Sequence, residues 1–355
     1  MKKTLVALAV AATAATAVST ANAATVYEQD GTKVELSGSF RMFLGRLGDD
    51  QRGDLVNDGS RVILKASQDL GNGLSGFAGY ELRFDENNGT NDDEKKANKA
   101  KNTFSDPTTK YLYGGLKHQD VGALSFGRQL LNADDVLGDN ANYNSAALSP
   151  FETSDKKVVK FRSAEWGGFS FGLDYIFGDS SKDRVTRTTT EELKNGYSAA
   201  AFYNLAIADH QALDLAATYI QRNYDDKTTT STTRKNRQWL LHAGYTYGPL
   251  NVGLNYGQNH NKYDDNRGGT KARYSLVQAS YQVTDPSRVY VQWERLEKRY
   301  NDIEHQYLVG VDYKLHKNVL TYVEYAHQRT KKYERNAEPT YKKDNVYGVG
   351  LRVFF

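Results

Sequence analysis

The residues best placed to act on a solute are cations that stand inside alternating segments. In Val34–Met42 the apolar residues hold one parity, and the other reads Glu35, Ser37, Ser39, Arg41. Val62, Leu64 and Ala66 alternate with Arg61, Ile63 and Lys65, and Lys160 and Arg162 share the polar parity of a later segment. Successive side chains of a strand point to opposite faces, so each segment has an apolar face and a second face that carries the charge. A cation facing lipid costs about 2–4 kcal/mol at mid-bilayer, so Arg41, Arg61, Lys65, Lys160 and Arg162 are expected to point into water. The chemistry they offer is electrostatic. Fixed charges of opposite sign across a narrow aqueous gap set a transverse field and tune which ions pass.

Covalent chemistry finds no comparable arrangement. Gly71-Asn72-Gly73-Leu74-Ser75-Gly76 matches G-x-G-x-x-G, but a dinucleotide site needs a helix after it. The next residues, Phe77 to Phe84, alternate as a strand, so the glycines are read as a hairpin turn. The seven histidines, His118, His210, His242, His260, His305, His316 and His327, never fall two at metal-ligand spacing with a third nearby. Cysteine is absent, so there is neither a disulfide staple nor a thiolate site. An outer-membrane hydrolase is the rival class. It would need a nucleophilic Ser near a His and its orienting acid, and no Ser flanks a His in such a compact motif. The expectation is a chain that catalyses no reaction and takes no cofactor or metal.

The elements that must position the cations begin after an export signal. Lys2 and Lys3 precede an apolar stretch, Thr4–Val18, and Ala21-Asn22-Ala23 reads as a cleavage site. Residues 1–23 are thus expected to be a signal peptide and residues 24–355 one domain. Period-two faces recur at Phe169–Tyr175, Leu213–Tyr219, Trp239–Tyr247, Leu250–Tyr256, Tyr307–Tyr313 and Tyr347–Phe355. Short turns at 71–73, 117–122, 167–168, 206–211, 248–249, 284–287 and 315–318 alternate with long polar segments near 44–59, 85–108, 130–157, 178–196, 223–236, 257–272, 297–303 and 328–344. Seven turns and eight loops join sixteen strands. Pro107, Pro150, Pro249, Pro286 and Pro339 all fall in turns or loops, as central strands require. Mean hydropathy is −0.69. That value suits a barrel whose strands face lipid on one side only and whose loops are long. Sixteen open strands would leave edges to protect, whereas closure removes them and lipid makes it compulsory. Lys+Arg is 46 against 43 for Asp+Glu, and without Lys2 and Lys3 the balance is 44 to 43, which gives no reason to expect nucleic acid.

Particular motifs now carry a resemblance. Ala24-Thr25-Val26-Tyr27-Glu28-Gln29-Asp30-Gly31-Thr32-Lys33-Val34-Glu35-Leu36 resembles the opening strand of the Gram-negative trimeric general diffusion porins, the OmpC/OmpF/OmpH type. Tyr113 to Gly122, with Ser125-Phe126-Gly127-Arg128, is similar to that family's G-L-K-x-x-D-V-G…Y-G-R motif, and the chain ends in Phe355 as those proteins do. The resemblance implies an all-β fold, a sixteen-stranded antiparallel transmembrane β-barrel with an inward-folded third loop. It implies passive passage of ions and small hydrophilic solutes through the outer membrane, a homotrimer surrounded by outer-membrane lipid, and Phe355 as the end read by the barrel assembly machinery. The third loop would run from about Leu130 to Lys157 and face the basic wall with Asp134, Asp135 and Asp139, although it lacks the family's common P-E-F-G-G. Arg61 stands in a place similar to a pore arginine of the family, and Lys110 where the family often has arginine. Arg128 falls on the apolar parity and is assigned to a subunit contact or strand end. A substrate-selective channel for sugars or anions is the alternative. It would show an aromatic ladder, but Phe43, Phe77, Tyr290 and Tyr322 on the polar parity are scattered over strands distant in sequence.

Overall fold

The computed structural model describes residues 23–84, 104, 107–138, 141–143, 148–178, 191–226, 233–263, 269–298, 302–333 and 337–355. Of the expected signal peptide only Ala23 lies among them. Among the described residues, eighteen strands and one short helix follow one another. They are β1 (Ala24–Gln29), β2 (Thr32–Arg46), β3 (Asp54–Asn57), β4 (Arg61–Gly71), β5 (Leu74–Arg83), β6 (Thr108–His118), β7 (Gly122–Leu130), α1 (Asn132–Leu137), β8 (Ser154–Ser163) and β9 (Phe169–Phe177). The second half contains β10 (Glu191–Ala208), β11 (Gln211–Asp226), β12 (Thr233–Tyr247), β13 (Leu250–Tyr263), β14 (Thr270–Thr284), β15 (Ser287–Glu297), β16 (Ile303–His316), β17 (Val319–Lys332) and β18 (Thr340–Phe354).

These close into an antiparallel barrel of sixteen strand positions. From β4 onward each strand pairs with the next, and β18 returns to β2 with Tyr347 opposite Arg46 and Phe354 opposite Ser39. Two positions are composite. β3 and β4 are one strand broken at residues 58–60, both pairing with β2. β1 continues the line of β18, with Ala24 opposite Leu36, while Phe355 exchanges both backbone hydrogen bonds with Gly38. The two ends of the expected mature chain therefore meet on β2 and complete the wall between them. The resemblance implies a single opening strand over these residues. Asp30 (φ 51°) and Gly31 (φ 76°) instead form a tight hairpin turn, the Asp-Gly pair that a type I′ turn favours because both central residues need positive φ.

The alternation is realised on every wall strand. Leu36, Phe40 and Leu44 of β2 are exposed on the outside, whereas Ser37, Ser39, Arg41 and Phe43 are buried inside. All five prolines lie outside the strands. The upper strands run further than the apolar pattern suggests. β11 and β12, β13 and β14, and β17 and β18 extend into the segments expected as loops near 223–236, 257–272 and 328–344. Above the bilayer both faces are wet, so the ladder continues through polar residues without an alternating signal to announce it.

Inside, three tyrosines each lie across a glycine directly opposite on the next strand: Tyr113 over Gly79, Tyr290 over Gly310 and Tyr322 over Gly350. A Cβ on Gly350 would stand 1.9 Å from the Tyr322 ring. Gly350→Val should accordingly cost about 1–3 kcal/mol through overpacking. A lowered unfolding temperature of the detergent-solubilised barrel, with the strand content retained, is the expected reading.

Candidate functional site: a loop seated in the lumen

The described residues between β7 and β8 lie inside the barrel, and wall side chains hold their main chain. Its amides are met by acceptors. Asn132 N–H donates to Asp174 Oδ2 (3.0 Å), Ala141 N–H to Gln278 Oε1 (2.8 Å), Tyr143 N–H to Glu324 Oε1 (2.6 Å) and Leu148 N–H to Glu294 Oε2 (2.6 Å). Its carbonyls are met by donors. Leu137 O accepts from Asn255 Nδ2 (2.6 Å), Pro150 O from Asn259 Nδ2 (2.7 Å), Glu152 O from Arg222 (3.1 Å) and Tyr143 O from Arg352 (2.9 Å). An irregular segment without a ladder of its own must satisfy each buried peptide group somewhere, and here the inward parity of β9 and β11–β18 supplies the partners.

The tip is the tightest part. The Tyr143 ring stacks on Tyr322 (4.5 Å between centroids) and meets Tyr290 edge-on (5.9 Å). Its hydroxyl donates to Asp312 (2.8 Å). Arg288 and Arg352 lie 5.6 and 4.6 Å from the ring. Arg352 is buried and pairs with Asp58 at 2.6 Å. Phe43, Tyr290 and Tyr322 look scattered in the sequence, yet the ladder from β15 to β17 and the closure of β18 on β2 gather them around Tyr143. All three are 0–2% exposed, so they seat the loop and do not line a path for solute. Phe77 stands apart, against Tyr113.

The described loop contacts lie mainly on β9–β18, and expected cations stand on the inward face of β2, β4 and β8, those of β8 in contact with the loop. Arg61 lies directly opposite Arg83 of β5, and Glu81 between them is 3.5 Å from Arg61 and 2.6 Å from Arg83. Arg41 is buried beside Arg352, its Nε donating to Ser39 Oγ at 2.7 Å. Lys160 and Arg162 point inward from β8. Lys160 donates to Leu130 O (3.2 Å) and Arg162 pairs with Asp135 at 2.8 Å while lying 3.6 Å from the centre of the Phe202 ring. Lys65 is on the same face but lower on the wall, opposite Glu35 and Gly79. Lys110 is not a regular member of the face. It is the extra residue of a bulge, where the register of β6 slips against β5, and its ammonium is 5.9 Å from the Tyr111 ring. Arg83 escapes sequence reasoning because it ends its strand, where no alternation continues to mark its face.

On the loop side, α1 presents Asp134 and Asp135. The Asp135 side chain is 53% exposed, so water reaches the pair with Arg162. Asp134 is half-buried and accepts the Thr153 hydroxyl at 2.6 Å. Burial holds its carboxyl above the usual range, with Asp135 adding to the rise and the Thr153 hydrogen bond, Lys160 and Arg83 opposing it. Asp139 lies outside the described residues. Among the described residues no group of three or more His, Cys, Asp or Glu is arranged to hold a metal ion.

Known proteins share this architecture. The family described as Gram-negative porin matches residues 5–333. A major outer membrane protein of Pasteurella multocida is 37% identical over 364 residues, covering 100% of both chains. Among solved structures, OmpT of Vibrio cholerae superposes with a TM-score of 0.68 at 20% identity, covering 94% of this chain and 100% of that one. An anion-selective porin from Comamonas acidovorans gives 0.70 at 18% identity, covering 91% and 100%. At these identities the structural likeness bears on the fold alone.

Proposed function

The chain belongs to the Gram-negative porin family and is an outer-membrane channel, and we propose that it works by general diffusion, passing ions and small hydrophilic solutes down their gradients. One observation supports this most: a loop is seated in the lumen, its Asp135 is solvent-exposed and pairs with the inward Arg162, and Arg61 and Arg83 stand on the inward face of β4 and β5. The reading of a substrate-selective channel is less favoured, because Phe43, Tyr290 and Tyr322 are buried against the loop. No chemistry is required of any of these residues, and a channel rather than an enzyme is the consistent reading.

The proposal includes a homotrimer. Arg128 stands on the outward parity of β7, exposed, opposite Leu112 and one step from Phe126, at a bulge. A guanidinium facing lipid there is costly, and contact with a second copy relieves it. The structural relatives include a trimer form of OmpT, at TM-score 0.66 and 18% identity. Export through cleavage after Ala23, and recognition of Phe355 by the assembly machinery, belong to the same proposal. Phe355 is 48% exposed although its backbone is clamped to Gly38.

Single-channel recording in a planar bilayer tests the diffusion reading. Large, mostly open, weakly selective steps are expected, with a modest reversal potential under a salt gradient. Protein that inserts as a folded barrel but conducts nothing overturns it.

A further inference from the structure

Of the three inner-wall tyrosines that lie across a glycine, two show what such a ring receives. Tyr322, across Gly350, carries the Tyr143 ring at 4.5 Å between centroids and 24° between planes. Arg352 stands beside this stack, 4.6 Å from the Tyr143 ring and 5.6 Å from that of Tyr322. Tyr290, across Gly310, meets the same Tyr143 edge-on. A glycine leaves the neighbouring ring room to settle against the sheet, and stacked or edge-on pairs are the arrangements aromatic rings prefer. At both places the protein supplies the second ring itself, from the lumen loop.

Tyr113 repeats the arrangement on another part of the wall. A Cβ on Gly79 would stand 2.6 Å from its ring. Tyr113 is half-buried, and among the described residues its one ring contact is the wall's own Phe77, at 6.4 Å and 67°. Its hydroxyl has no hydrogen-bond partner among the described residues. No described residue of the loop covers it as Tyr143 covers Tyr322. A cation stands beside this ring too. Tyr113, Gly79 and Lys65 form one row across β6, β5 and β4, so a ring that reaches over Gly79 points toward Lys65. Glu35 follows Lys65 in the row, but it pairs with Lys33 at 2.6 Å, and among the described residues no carboxylate is within ion-pair distance of Lys65. Two residues toward the loops, Tyr111 lies 5.8 Å from Arg83. The wall therefore presents a ring with a cation beside it, as at Tyr322 and Arg352, with no second ring in place.

We propose that Tyr113, Phe77 and Lys65 form a subsite on the lumen wall for small solutes that carry an aromatic ring and a carboxylate. The ring of the solute takes the place at Tyr113 that Tyr143 takes at Tyr322, and the carboxylate reaches the Lys65 ammonium. One ring contact and one partly solvated ion pair hold such a solute briefly, so it is concentrated in the lumen and then released. The subsite rests on the diffusion reading and adds a preference to it. Solutes that lack either group pass without pausing.

The test uses the full-length barrel in planar bilayers and measures how added solutes reduce its potassium chloride conductance. The probes are benzoate, acetate and benzamide, which carry both groups, the charge alone and the ring alone. Benzoate should halve the excess conductance at a concentration at least tenfold below that needed of either comparator. In Phe77→Ser, Tyr113→Ser protein benzoate should become as weak as acetate. In Lys65→Gln protein, which removes no ring, it should become as weak as benzamide. Lys314→Gln removes one positive charge from the lumen parity of β16, on a different part of the wall, and should leave the preference intact. Wild-type protein that conducts potassium chloride but responds equally to the three probes overturns the subsite and leaves the diffusion reading standing. A benzoate preference that survives Lys65→Gln, or that is lost equally in Lys314→Gln, overturns the subsite as well, whether or not the serine variant folds. Protein that does not conduct overturns both readings.

Discussion

Arg352→Ala should unseat the tip of the lumen loop. Arg352 holds Tyr143 O at 2.9 Å, pairs with Asp58 at 2.6 Å and lies 4.6 Å from the Tyr143 ring. Truncation strands a carboxylate and a peptide carbonyl in a buried place, and breaking a buried pair in this way costs about 3–5 kcal/mol. The wall itself would persist, because β18 keeps its backbone ladders to β17 and β2. The cost therefore falls on the seating of the loop, where 1.4 kcal/mol is roughly a tenfold change in population. Larger and noisier single-channel currents are the expected reading, together with new protease cleavage near Tyr143. Arg352→Lys should recover part of the effect, since it restores the charge to Asp58 but not the forked reach to Tyr143 O. Currents as quiet as those of the parent protein would show that Glu324, Arg288 and Asp312 suffice to hold the tip.

That clamp also shows how far the sequence can be read and where it falls silent. Period-two patterning reveals the strands, because lipid on one side and water on the other act on every residue in turn. It locates Arg41, Arg61, Lys160 and Arg162 on the water side for the same reason. It is silent on partners. Arg352 comes after Leu351 on the minor parity of the last strand and looks like any other lumen charge. Only closure of β18 on β2 brings it to Asp58, 294 residues earlier. The same closure brings Phe43 to Tyr322, whose separation along the chain hides that they are neighbours. The carboxylates that receive the loop amides, Asp174, Glu294 and Glu324, are equally anonymous, since nothing local marks a side chain as the acceptor for a distant peptide group. Lys110 shows a different limit. A bulge shifts register by one residue and leaves the count of apolar positions on either side almost undisturbed.

Neutralising the acidic side of the gap should move selectivity toward anions. In Asp134→Asn, Asp135→Asn, Asp139→Asn protein, the basic wall of Arg41, Arg61, Arg83, Lys160 and Arg162 acts on passing ions with less opposition. A unit charge about 6 Å from an ion in water contributes roughly 0.7 kcal/mol, so losing even two shifts the preference by nearly tenfold before screening. At physiological ionic strength the Debye length is about 8 Å, which cuts this to severalfold, so the reversal potential is best measured in dilute salt. Acid should push the wild-type channel the same way. The Asp134 carboxyl is held above the usual range by burial, so as pH falls it takes up its proton before an ordinary carboxylate would. The sign for stability comes from the same shift. A pKa raised on folding means that the folded barrel binds this proton more tightly than the unfolded chain. Its contribution is therefore full below the unfolded value and lost as pH rises through the folded one. Asp134→Asn alone should remove this part of the pH dependence of the reversal potential. If the triple variant and the parent reverse at the same potential, the gap between the loop and the basic wall is too wide to select, and the charges merely line a lumen.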